Sequence, residues 1–178
     1  MEKTTKKLMI RNARLSYVTV DEPRSIVEGG EPYYSISVII EPDNPATAEI
    51  KKTVDALINE QKWTPAQKKV CDKALRDGNE ERAEDEAYAN NYFINAKSRQ
   101  KPLLIDGARR EVPASKFYSG CYANVSVSLY AYDKAGNRGV GCGLRGVQFV
   151  KDGEPLGSTV SADEFDKLED DEVAEDFV

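Results

Sequence analysis

At 178 residues and 19.8 kDa, with 40 % hydrophobic residues and a mean hydropathy of −0.58, the chain has the size of one domain with appendages. It has no run near the roughly 18 apolar residues of a membrane span and no evident signal peptide over Met1–Lys7, so a cytoplasmic location without membrane partners is expected. The absence of histidine excludes histidine-activated nucleophiles. The three separated cysteines, Cys71, Cys121 and Cys142, exclude CxxC zinc sites and argue against a disulfide framework. A net charge of −6 speaks against a uniformly basic surface, but the charge is unevenly distributed.

Leu8 to Val20 alternates as a first strand, with a phase change that suggests a bulge. Asp21 to Pro32, with Pro23, Gly29 and Gly30, reads as a loop. Tyr33–Ile40 is a second strand whose buried face is Tyr34, Ile36, Val38 and Ile40, leaving Tyr33, Ser35 and Ser37 opposite. Asn44-Pro45 then caps a helix with the apolar stripe Ile50, Val54, Leu57 and Ile58. Thr64-Pro65-Ala66-Gln67 resembles a capping box opening a second helix to about Asp77, with Gly78 as its stop and Trp63 packed between the helices. The acidic stretch to Asn91 reads as a solvated loop or frayed helix.

Strand character returns at Tyr92, Ile94 and Ala96 and at Leu103–Ile105, a hairpin-like region. Cys121–Asp133 is the clearest strand, followed by a turn at Ala135-Gly136-Asn137 and a returning strand from Val140 to Val150. Several strands with one helical excursion predict a mainly β domain, specifically an OB-fold-like five-stranded β-barrel with inserted helices. Its expected extent is residues 1–157, with the helical insertion at about 44–90 and an acidic flexible tail over 158–178.

The strand Tyr122–Tyr132 separates by parity. Its odd positions are apolar; its even ones are Tyr122, Asn124, Ser126, Ser128, Tyr130 and Tyr132. Three tyrosines among small polar residues on an open face suit base stacking, worth roughly 1–3 kcal/mol per base. They equally suit cross-strand stabilisation of an exposed sheet. Tyr122, Tyr130, Tyr132 and Tyr33 are the stacking candidates. Lys97, Arg99, Lys101, Arg109, Arg110 and Lys116 are dense enough to follow a phosphate backbone. Arg11 and Arg14 offer a second wall, and Arg138 and Arg145 lie on the last hairpin. Scattered surface cations are the plainer reading of each.

Residues 163–178 hold nine acids and one base, leaving 24 bases against 22 acids over residues 1–162. So acidic a segment should be disordered. It reads either as a solubilising tail or as a partner-binding element built on Asp170, Asp171, Glu172, Glu175, Asp176 and Phe177, able also to compete with DNA for a basic groove. No metal site, cofactor or catalytic constellation is implied, and no enzymatic activity is expected.

The segment Lys116–Tyr132, the turn after it and Gly141-Cys142-Gly143-Leu144-Arg145-Gly146-Val147-Gln148-Phe149 resemble a phage single-stranded DNA-binding family first catalogued as a domain of unknown function. The resemblance covers most of residues 6–157. It implies an OB-fold, sequence-independent binding of single-stranded DNA in replication, recombination and repair, and tail contacts with replication proteins such as polymerase or helicase. It also places the protein in the cytoplasm of an infected bacterial host. Phe177 with Val178 following departs from tails whose aromatic residue is terminal. With about five phosphates neutralised, affinity should fall roughly 100-fold between 50 and 200 mM salt. A replisome adaptor or strand-annealing protein, or an acidic DNA-mimic inhibitor, is the alternative reading. Edge strands and the tail leave homo-oligomer formation open.

Overall fold

The computed structural model describes residues 5–25, 27–156, 166 and 168. Its strands are β1 (Thr5–Ser25), β2 (Pro32–Ile40), β3 (Leu75–Asp77), β4 (Tyr92–Ser98), β5 (Leu103–Ile105), β6 (Tyr122–Lys134) and β7 (Asn137–Lys151). Antiparallel pairing joins β4 to β2, β2 to β1, β1 to β6 and β6 to β7, and one parallel bridge, Lys97 to Gly143, closes the ring from β4 to β7. The order β1-β2-β4-β7-β6 is that of a closed five-stranded OB-like barrel, as the alternation predicts.

The strand residues that alternate inward fill it. Ile10, Leu15, Ile36, Ile94, Val125, Val127 and Leu129 are buried, as are Cys121 and Cys142. Burial pushes the Cys142 thiol far above its ordinary pKa and keeps it protonated. β1 can serve two neighbours because it breaks register between Ile10 and Ala13 and again beyond Ser16. Asn12 and Tyr17 take left-handed φ angles of 53° and 47° near those breaks. The bulge expected from the phase change is therefore present.

The helix α1 (Pro45–Asn59) opens as expected, with Asn44 accepting from the Ala46 amide and proline in the first turn. Such a cap stabilises by about 1 kcal/mol. Ile50, Val54, Leu57 and Ile58 join the barrel core. The capping box of α2 (Pro65–Val70) is also present, with both reciprocal Thr64–Gln67 bonds made. Trp63 is partly buried against the same core.

Three expectations fail between residues 71 and 105. The second helix stops at Val70 rather than near Asp77, because the next residues are drawn out by backbone pairing. Asp72 bridges Gly139 of β7, and β3 pairs with β4. Gly78 starts a helix rather than stopping one: the acidic stretch, largely exposed as expected, holds the short α3 (Gly78–Glu81) and a 3-10 turn at Glu86–Tyr88. Tyr88 is wholly buried there, edge-on to Phe93 at 5.0 Å, and its hydroxyl donates to Ser37 Oγ at 2.8 Å. This covers Ser37 and Ile39, so β2 is buried on both faces at that end. Finally, 92–105 is not a hairpin. β4 and β5 pair separately with β7, in parallel.

Candidate nucleic-acid interface

The turn between β6 and β7 sets the geometry of the outer surface. Ala135 and Gly136 form a two-residue loop with φ angles of 52° and 86°, the signs a type I′ turn requires. That loop fixes Lys134 opposite Asn137, hence Tyr132 opposite Gly139, Tyr130 opposite Gly141 and Ser128 opposite Gly143. The outward residues of β6 thus face a column of glycines. A Cβ at Gly141 would lie 2.8 Å from the ring and hydroxyl of Tyr130, and one at Gly143 would lie 2.7 Å from Ser128 Oγ. The Tyr130 ring therefore rests on bare strand backbone.

Around this ring lies a groove of about 1060 Å³. Tyr130, Tyr132 and Gly141 contribute from the β6–β7 hairpin, Asn95 and Lys97 from β4, and Ser35 from β2. Cys71, Asp72 and Arg76 close one side, and Lys134 and Arg138 come from the hairpin tip. Tyr33 lies beside it, with Lys97 Nζ 4.7 Å and the Arg99 guanidinium 5.7 Å from its ring centre. Burial, then the neighbouring Cys142 and Tyr33, raises the Tyr130 pKa. For Tyr132 burial again leads, reinforced by the charge of Asp72 and by its hydroxyl's 3.3 Å bond to that carboxylate. Both rings therefore stay neutral at physiological pH.

The cations of the groove differ in availability. Arg76 donates to both oxygens of Asp72, at 2.8 and 3.0 Å, and to Glu81 at 2.8 Å. Burial alone would lower its pKa, but these two carboxylates outweigh it and raise it. Arg138 is paired with Asp133 at 3.2 Å, and Arg99 with Glu31. Among the described residues, the ion pairs do not include Lys97 or Lys134.

The expected site residues therefore divide. Tyr130, Tyr132, Lys97 and Arg138 line one groove, with Tyr33 and Arg99 at its margin. Arg145 occupies the irregularity in β7 on the same outer surface and bonds Ser126 Oγ at 3.3 Å. Tyr122 stands eight residues along β6 from Tyr130, roughly 26 Å at strand rise. Arg14 and Lys151 lie 5.8 and 4.8 Å from its ring centre. Arg14 is committed to the backbone carbonyls of Gly120 and Glu154, and Lys116 sits over Phe149 at 4.4 Å. Arg11 lies in the β1 bulge, and Lys101 is exposed between β4 and β5. Arg109 and Arg110 belong to a turn organised by Asp106, whose carboxylate receives the Ala108 and Arg110 amides and the Arg110 side chain. Those bonds, the Arg110 amide first, hold Asp106 below the usual carboxylate range. The tail candidates Asp170, Asp171, Glu172, Glu175, Asp176 and Phe177 lie outside the described residues.

Sequence reasoning missed Arg76, Asn95, Lys134 and Asp72 in the groove, and Lys7, paired with Ser128 on the same outer surface. Lys7, Met9 and Arg11 continue the alternation of β1, a signal that was available. Arg76 sits in a three-residue strand, too short for any periodicity.

A closed five-stranded barrel with a tyrosine- and lysine-lined groove on its outer surface is an OB-like fold. The chain belongs to the family described as Enterobacter phage Enc34 ssDNA-binding protein, which it matches over residues 6–178. It is 33 % identical over 176 residues to putative protein p50 of Acyrthosiphon pisum secondary endosymbiont phage 1, covering 91 % of this chain and 94 % of that one. The fold resembles the bacteriophage Enc34 single-stranded DNA-binding protein in complex with ssDNA, at TM-score 0.70 and 23 % identity over 85 % of this chain and 89 % of that one. It also resembles gp2.5, a single-stranded DNA-binding protein of bacteriophage T7, at TM-score 0.61 and 12 % identity over 92 % of each.

Proposed function

We propose that this protein binds single-stranded DNA without sequence preference, holding the strand along the groove beside Tyr130. The observation that carries this reading is the Tyr130 ring lying on Gly141 with Lys97 close by, in a chain of this family. A ring supported from below by backbone offers its other face to a base, and stacking accepts any base because every base has a π-face. Tyr132 and Tyr33 extend the platform, and Lys97 and Lys134 meet phosphates. Arg145 and Lys7 continue the cationic surface toward Tyr122. The binding is non-catalytic: the strand is covered and protected during phage DNA replication, recombination and repair in the host cytoplasm.

The acidic tail, rich in carboxylates around Phe177, contacts replication proteins such as polymerase or helicase and competes with DNA for the groove. The concentration of nine acids in the last 16 residues supports this division of labour.

The test is fluorescence anisotropy of a labelled oligo-dT over a salt series, with the full chain, a version ending at Ser161 and Lys97→Ala. Salt-sensitive binding that tightens on truncation is expected. Lys97→Ala should flatten the log–log salt slope by about 0.7, one phosphate's share. No binding by either length would overturn the reading and favour an acidic DNA mimic. Binding indifferent to truncation would confine the tail to partner contacts.

A further inference from the structure

Segment 71–77 stitches two strands that the barrel leaves nearly unjoined. Between β4 and β7 there is one bridge, at Lys97 and Gly143. Beyond it, the Asp72 amide donates to the Arg138 carbonyl and the Asp72 carbonyl accepts from the Val140 amide, both at 2.9 Å. Leu75–Asp77 meanwhile pairs with β4. The backbone of Asp72 is thus structural, and Gly139 lacks a side chain where a Cβ would stand 2.3 Å from the Asp72 carbonyl.

The side chain of Asp72 is not needed for that stitching. It lines the groove, accepts from Arg76 with both oxygens and receives the Tyr132 hydroxyl. Arg76, with one terminal nitrogen on Asp72 and the other on Glu81, has no fork left for a phosphate. Phosphate and carboxylate seek the same geometry from arginine, so only one of them can hold it.

We infer that Asp72 limits the affinity of the groove: it holds Arg76 away from phosphate and fixes the tilt of Tyr132, so that Lys97 and Lys134 carry the backbone contacts. This rests on the groove being the DNA site. It makes the groove weaker and less salt-sensitive than its count of basic residues suggests. A protein that must let go of strands ahead of other enzymes gains from such a restraint.

The experiment compares the full chain with Asp72→Asn, Arg76→Gln and the double variant, by oligo-dT anisotropy from 50 to 200 mM salt. Asparagine keeps the backbone bridges and one acceptor oxygen but loses the charge and the second oxygen that pair with Arg76. Asp72→Asn should bind more tightly at 50 mM and show a slope steeper by about 0.7, an extra loss of about 2.6-fold across the series. Arg76→Gln alone leaves the Asp72 and Glu81 carboxylates unpaired beside the groove and should weaken binding, and in the double variant the steeper slope should vanish. Glu81→Gln, which loosens Arg76 without touching the Asp72 contacts, should shift the slope in the same direction by less. A weaker or unsteepened Asp72→Asn, or a gain that survives loss of Arg76, overturns the inference while Lys97→Ala still flattens the slope. If Lys97→Ala is also without effect, the groove itself is misassigned.

Discussion

β2 and β4 lie side by side with their outer surfaces continuous, yet the two halves of that surface meet different surroundings. Toward Ile40 and Tyr92, Ile39 and Phe93 are paired and apolar, and Tyr88 closes over them from a segment rich in acids. Toward Tyr33 and Ser98, the paired Ser35 and Lys97 stay uncovered and open into the groove. The strands are the same; the side chains decide. Two buried apolar residues repay a lid, whereas a lysine beside a tyrosine ring is better left in water. The difference separates what holds the barrel together from the surface proposed to face DNA.

Substitutions should respect that boundary. The largest expected effect is on the capped half: Tyr88→Ala should cost about 3–5 kcal/mol in urea unfolding, as for other large buried aromatics, and leave oligo-dT affinity intact. If affinity fell with stability, the two halves would be one unit. On the open half, Tyr130→Ala should weaken oligo-dT by about 1–3 kcal/mol, roughly fivefold to 150-fold, with the unfolding midpoint nearly unmoved. Gly141→Ala sharpens the comparison further, because the added methyl would sit 2.8 Å from the ring and must lift it. Affinity should fall by less than for Tyr130→Ala, and tyrosine fluorescence should report the moved ring. The smallest effect is expected at the turn. Ala135 holds φ at 52°, which costs an ordinary side chain about 1–2 kcal/mol, so Ala135→Asn should stabilise by a fraction of that without altering binding.

Much of this was legible because it is local. The alternation of β6, the stripe of α1 and the two caps are written within a few residues of themselves, and all appear as read. The register of the last hairpin was also within reach. A two-residue loop at Ala135-Gly136 puts Tyr130 opposite Gly141, and the glycine column follows by counting. What could not be read is non-local. Tyr88 is a single aromatic residue in an acidic run, and nothing near it announces Ile39 and Phe93 some 50 and five residues away. Leu75–Asp77 gives no periodicity in three residues, and helix-like residues before it continued a pattern that the pairing with β4 overrides. The basic candidates illustrate the same limit. Arg14 and Arg110 looked as free as Lys97, but their partners at Gly120, Glu154 and Asp106 are set by tertiary contacts and by a turn.

The glycine column has a consequence in time. A side chain that must search its rotamers before receiving a base slows capture, and one already laid flat on a strand does not. Encounter at Tyr130 should need no prior rearrangement, so arrival of the strand would be set by diffusion and by the charge of the surface around Lys97. Ring and glycine variants of the groove should then differ chiefly in how long a strand stays, whereas charge variants such as Lys97→Ala should also change how fast it lands.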